Sequence, residues 1–198
     1  MSQDFDKQIP STDLNDKDAL FARAGEYHAQ GDKDAMVIWL EKAVAKGHIK
    51  AKTNLGLCYF FGDNVEQDYE QAFELLKAAA SADDQTAKYY LALCYLDGTG
   101  VEQDEDYGMR VLWKCASDGM SWAQLSLAEC YETGRVVKED LFEAISWYAR
   151  AAESDIPEAQ EKFRALYYDN NFEDAEGNQR YFWFEEENMD ADGDPITL

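Results

Sequence analysis

Three observations predict an all-α solenoid of antiparallel helix pairs. A segment beginning at Ala51 recurs at Ala87, at Ala123 and in part at Ala159, 36 residues apart each time. Within each copy the apolar residues fall at helical spacing, and aliphatic and aromatic residues make up 46% of the chain, which separates it from disordered acidic sequences. Aligned on the period, Leu55, Leu91, Leu127 and Phe163 coincide, as do Tyr59, Tyr95, Tyr131 and Tyr167. Gly62, Gly98 and Gly134 follow, then Val65, Val101 and Val137, then Asp68, Asp104 and Asp140. A fixed period of this length marks stacked supersecondary units that bury their apolar faces on one another.

Taken in order, residues 1–18 read as a lead-in. Their opening, MSQDFDKQIP, carries no basic start, apolar segment or small-residue cleavage site. No apolar run in the chain approaches the ~20 residues that cross a bilayer, so the sequence predicts a soluble, cytoplasmic protein. Residues 19–50 form a divergent first pair: Tyr27 matches Tyr59, and the second helix runs through Met36, Trp39, Ala43 and Val44. Its connector, GDKD at Gly31 to Asp34, is four residues shorter than the later FGDNVEQD, as suits a terminal capping unit.

Residues 51–86, 87–122 and 123–158 are the full repeats. In the first helix of each, Ala51, Leu55, Cys58 and Tyr59 stand four, three and one residues apart, on one face. After the glycine and connector, an aspartate is placed to cap the second helix, strengthened at Asp140 by Glu143 three residues on. The second helix carries Ala72, Leu75, Ala79 and Ala80, matched by Ala144, Trp147, Ala151 and Ala152, small residues that let two helices approach closely. Residues 159–184 are a partial repeat and C-terminal cap, in which Tyr181, Phe182, Trp183 and Phe184 cover the open end of the stack or join a partner interface. Residues 185–198 form an acidic tail.

These copies, NLGLCYFFGDNVEQDYEQAFELLKAAA, YLALCYLDGTGVEQDEDYGMRVLWKCA and SLAECYETGRVVKEDLFEAISWYARAA, resemble the Sel1-like repeat family, relatives of the tetratricopeptide repeats. The resemblance spans about residues 51–168, with 19–50 as a divergent copy. Ala92 and Ala128 stand where the family prefers glycine, Gly108 where it prefers alanine, and Cys115 interrupts the small pair; all exchange small for small. What the resemblance implies is a right-handed superhelix that mediates protein contacts, as an adaptor or as a partner of secreted effectors.

Charge narrows the partner. With 18 Lys and Arg against 41 Asp and Glu, the formal net charge of −23 repels nucleic acid and anionic membranes and draws in cationic proteins, besides keeping the chain soluble. Chemistry finds little foothold. Cys58, Cys94 and Cys130 share one repeat position on the packing stripe and lack CxxC spacing, which makes them core residues. Neither His28 nor His48 sits in a nucleophile pattern, close carboxylate pairs follow from acid abundance alone, and Gly98 and Gly100 belong to a repeat connector. Asp190, Asp192 and Asp194 alternate as in a calcium loop, but the chain stops short of the twelfth position. The sequence therefore predicts no enzyme, no cofactor and no metal.

The candidate partner-binding set lies off the packing stripe of the first helices: Thr53, Leu57, Phe60 and Phe61, then Tyr89, Leu93, Leu96 and Asp97, then Trp122, Leu125, Glu129 and Glu132. By resemblance to tetratricopeptide folds these positions line a concave groove; the competing expectation is that some of them pack against the neighbouring first helix. The connectors add acidic residues, Asp63, Glu66, Asp68 and Glu70, then Glu102, Asp104, Glu105 and Asp106, partly explained as helix caps. Two functions fit: an immunity-type inhibitor that captures and blocks one basic toxin or effector, or an adaptor that assembles several proteins.

Overall fold

The computed structural model describes residues 15–169, and these are helical throughout, with no strand among them. The expectations for residues 170–198, namely the aromatic cap and the acidic tail, lie outside the described residues. The chain divides into two compact units, Met1–Met120 and Ser121–Leu198. The first holds α1 (Lys17–Gln30), α2 (Lys33–Ala45), α3 (Ile49–Phe61), α4 (Tyr69–Ala80), α5 (Gln85–Asp97) and α6 (Glu105–Ser117). The second holds α7 (Ser121–Thr133), α8 (Leu141–Ala152) and α9 (Pro157–Asp169). Odd and even helices pair as the period predicts.

Aspartates start the second helices as expected. Asp68 accepts a hydrogen bond from the Gln71 N–H and Asp104 from the Tyr107 N–H, both at 2.9 Å, and Asp140 accepts from Phe142 and Glu143. The reciprocal half of the capping box at Asp140 is absent, which corrects the role expected of Glu143. The N–H that its carboxylate would accept goes to the Tyr131 carbonyl at 2.9 Å, just as Asp68 donates to Tyr59 and Asp104 to Tyr95. The repeated tyrosine thus closes the connector through its backbone. Gln67 and Gln103 lock it further by donating to the carbonyls of Phe60 and Leu96, a bond that Glu139 cannot make at the matching third position.

Two core clusters in the first unit share α3. Its Ala51, Leu55 and Cys58 close on Leu20 and Ala24 of α1 and on Trp39, Leu40 and Ala43 of α2. From the same helix Ile49, Leu57 and Phe60 pack on the other side, against Phe73, Leu76 and Ala79 of α4 and Ala87, Leu91 and Cys94 of α5. A side chain as fully buried as Leu76 contributes about 2 kcal/mol by leaving water. Helix α3 is therefore buried on two sides, unlike a surface helix with one apolar stripe.

Position 36 residues apart does not mean equal comfort. Asn64, Gly100 and Val136 occupy one connector position, and all three have left-handed φ, at 63°, 72° and 66°. Asparagine and glycine accept that region, whereas a β-branched valine there carries roughly 1–3 kcal/mol of strain.

The joint between the first pair and α3 uses an unusual cap. His48 accepts the Ala51 N–H on Nδ1 at 3.0 Å, presents Nε2 to the Asp18 carboxylate at 3.4 Å, and stacks on Phe21 with ring centroids 4.3 Å apart. Capping requires an unprotonated Nδ1, so the cap needs the neutral ring. Burial holds the imidazole below its ordinary 6.5; Asp18 opposes this, while Lys17 and Lys50 reinforce it. Between that ordinary value and the lowered folded one, the unfolded chain binds the extra proton, so stability falls as pH drops through this window. Urea midpoints of the full chain should therefore decline from neutral pH towards pH ~5.5. His48→Asp, which copies the Asp84 cap one repeat later, should flatten that decline; an unchanged slope would place the sensitivity elsewhere.

Candidate functional site

In the first unit, the end of α3, the start of α4 and the first turns of α5 bring aromatic rings together. Phe60, half-buried against the core, is the hub: its ring meets Phe61 at 5.1 Å, Tyr69 at 5.8 Å and Tyr90 at 5.6 Å between centroids, each edge to face. Tyr90 also meets Phe61 at 5.8 Å and Tyr89 at 5.0 Å. Phe61 and Tyr69 remain 58% and 42% exposed, so the cluster is rooted in the core and opens to solvent through two rings. Burial raises the Tyr90 hydroxyl above its ordinary pKa.

The structure sorts the sequence-derived set. Phe60 and Phe61 lie in this cluster, and Leu57 and Leu93 are half-buried beside or near the core. Thr53 and Leu96 are 3% and 1% exposed and Tyr89 is buried, so these three contribute packing and not accessible surface. Asp97 is exposed at the end of α5. Tyr69 and Tyr90 were not in the set. Their signal in the sequence is a departure from the repeat, since Tyr90 replaces Asn54 and Ser126, and Tyr69 aligns with Glu105 and Leu141.

In the second unit Trp122 is 54% exposed and Leu125 is buried. Glu132 is already engaged: Tyr148 donates its hydroxyl to it at 2.5 Å and Lys162 donates at 2.9 and 3.0 Å, tying α7 to α8 and α9. Burial acts to raise the Glu132 carboxyl, but the bonds from Tyr148 and Lys162 prevail and hold it below the usual range. Glu129 is pushed up, chiefly by burial and then by Glu158. Of the three acids in the candidate set, Asp97, Glu129 and Glu132, the last is therefore a structural tie.

The described residues include every cysteine of the chain. All four cysteines are buried, and burial, followed by the charge of Asp97, lifts the Cys94 thiol to about 11, far from a reactive thiolate. No group of three His, Cys, Asp or Glu side chains there could hold a metal ion, and no helix there is long and apolar enough to cross a membrane.

Comparison with known proteins agrees with the helix pairs. The Sel1 repeat profile matches residues 37–48, 49–84, 85–110 and 123–156, more than half the chain. No curated protein matches. Among solved structures, a protective antigen of uropathogenic Escherichia coli displaying an SLR fold is similar at 26% identity and a TM-score of 0.69, over 82% of this chain and 37% of that one. A Sel1 repeat protein from Oxalobacter formigenes is similar in fold at 24% identity and a TM-score of 0.70, over 82% of this chain and 68% of that one. The chain thus spans little more than a third of the length of the antigen.

Proposed function

The chain belongs to the Sel1 repeat family, whose members mediate protein–protein contacts, and from that premise we propose that it is a non-enzymatic cytoplasmic module that captures one basic protein and blocks it. The observation that carries this reading is an exposed aromatic surface, Phe61 and Tyr69 on the Phe60 hub, in a chain of net charge −23. Aromatic anchors supply affinity at protein interfaces, and charge of one sign speeds encounter with a partner of the other. An immunity-type role, in which the captured protein is a toxin or effector, is the form of this function that a single dedicated partner favours.

Affinity capture followed by mass spectrometry tests it. The expected result is one dominant basic protein, whose purified complex forms faster at low salt than at high salt and whose activity falls as the module is added to equimolar amounts. Recovery of several neutral proteins, none of them inhibited, would replace this reading with the adaptor.

A further inference from the structure

We propose that Phe61 and Tyr69 receive a cationic side chain of the partner, arginine in preference to lysine, carried on an apolar segment that lies across the Phe60 hub. This deepens the partner-binding reading and rests on it.

Each second helix lays one of its own cations over an aromatic: Lys42 over Trp39 at 4.2 Å, Lys77 over Phe73 at 5.3 Å, Arg110 over Tyr107 at 5.7 Å and Arg150 over Trp147 at 4.7 Å. No cation of the described residues covers Phe60, Phe61, Tyr69 or Tyr90. Their contacts are ring to ring and edge to face, which leaves the outer rings open to an incoming group. Bare aromatic faces attract cations through the ring quadrupole, and a guanidinium stacks on them with less loss of hydration than an ammonium.

The surrounding charge selects the same occupant. Between Phe61 and the first turn of α4 lie four acids. Asp63 is paired with Lys33 at 2.9 Å, and Asp68 caps α4. The carboxylates of Glu66 and Glu70 are exposed and enter no ion pair or hydrogen bond among the described residues, and Glu70 directly follows Tyr69. Two unengaged carboxylates, one on the connector after Phe61 and one on the helix that begins with Tyr69, add negative charge to this end of the unit and complement an arginine whose stem packs on the rings. A second copy of this chain is a poor occupant, since two bodies of charge −23 repel.

The test is selection of peptides from a random display library on the full-length protein, followed by fluorescence anisotropy with the winning peptide. Its sequence is expected to place an arginine beside aliphatic or aromatic residues. Replacing that arginine by citrulline, which keeps the shape and removes the charge, should weaken binding roughly three- to thirty-fold, with lysine intermediate. The combined variant Phe61→Ala and Tyr69→Ala, checked for unchanged helicity, should lose binding by at least as much. The citrulline measurement uses the unaltered protein and so decides the matter even if the variant is perturbed. Binding that ignores citrulline, or that survives the double truncation, overturns this inference and leaves a partner site elsewhere on the module. Self-association abolished by the same double variant assigns the patch to a second copy and also overturns it. Selection of no peptide overturns this inference together with the reading beneath it.

Discussion

Gly100→Ala is expected to destabilise the first unit by roughly 3 kcal/mol or more. A Cβ on Gly100 would stand 2.0 Å from the Tyr69 carbonyl oxygen, 2.5 Å from its carbon and 3.0 Å from the Glu70 nitrogen. All three are main-chain atoms in the first turn of α4, so no rotamer change relieves the clash; either the α5–α6 connector lifts away or α4 frays. The left-handed φ of 72° adds its own cost of about 1 kcal/mol. Gly119 separates the two terms. Its φ is 90°, but nothing lies within 4 Å of a Cβ built there, so Gly119→Ala should cost only the backbone term. Urea unfolding of both variants, with hydrogen exchange to locate the loss, is the measurement. Equal effects at the two glycines would show that the contact with Tyr69 contributes nothing. The expected result is a larger loss at Gly100, with protection reduced in α4 to α6 and retained in α7 to α9.

The helix pairs were legible because the residues that make them repeat. Leu55, Leu91 and Leu127, the tyrosines behind them and the capping aspartates all occupy the roles their spacing implied. The candidate surface was legible only in part, for a geometric reason. Reading one packing stripe treats each first helix as a surface helix, yet α3 packs on both neighbours, and α5 buries Ala87, Tyr89, Leu91, Ala92, Cys94 and Leu96 around most of its circumference. Thr53, Leu96 and Leu125 therefore went to packing, whereas Phe61, at the last residue of α3, outruns its neighbours and stays exposed. Glu132 was illegible for another reason: its partner Lys162 lies 30 residues away, in the copy where the period fades.

Gly108→Ala is expected to cost about 2 kcal/mol, although alanine is the better helix former by about 1 kcal/mol. The added Cβ would meet Leu96 Cγ at 2.8 Å and the Ala92 oxygen and Leu96 nitrogen at 2.9 Å, and Leu96, 1% exposed, has no space to yield. In sequence, Ala92 and Gly108 look like two independent small-for-small departures from the family pattern; in the fold Gly108 lies against the main chain of Ala92 and Leu96. The preceding pair has glycine on its first helix, Gly56, where a Cβ would come within 3.1 Å of Leu76, and buried Ala72 on its second. The α5–α6 pair reverses the two residue types, with alanine on its first helix and glycine on its second. Combining Gly108→Ala with Ala92→Gly restores the earlier arrangement and should recover about 1 kcal/mol, read as the coupling in a double-mutant cycle by urea unfolding. Strict additivity would mean that the two positions do not sense each other. The third pair places alanine at both positions, Ala128 and Ala144, each fully buried. There the counterpart of Leu96 is Glu132, drawn towards Tyr148 and Lys162. Two of the three atoms that an added Cβ would meet at the middle crossing belong to the main chain, so shortening Leu96 to alanine should relieve only the side-chain part of the cost of Gly108→Ala.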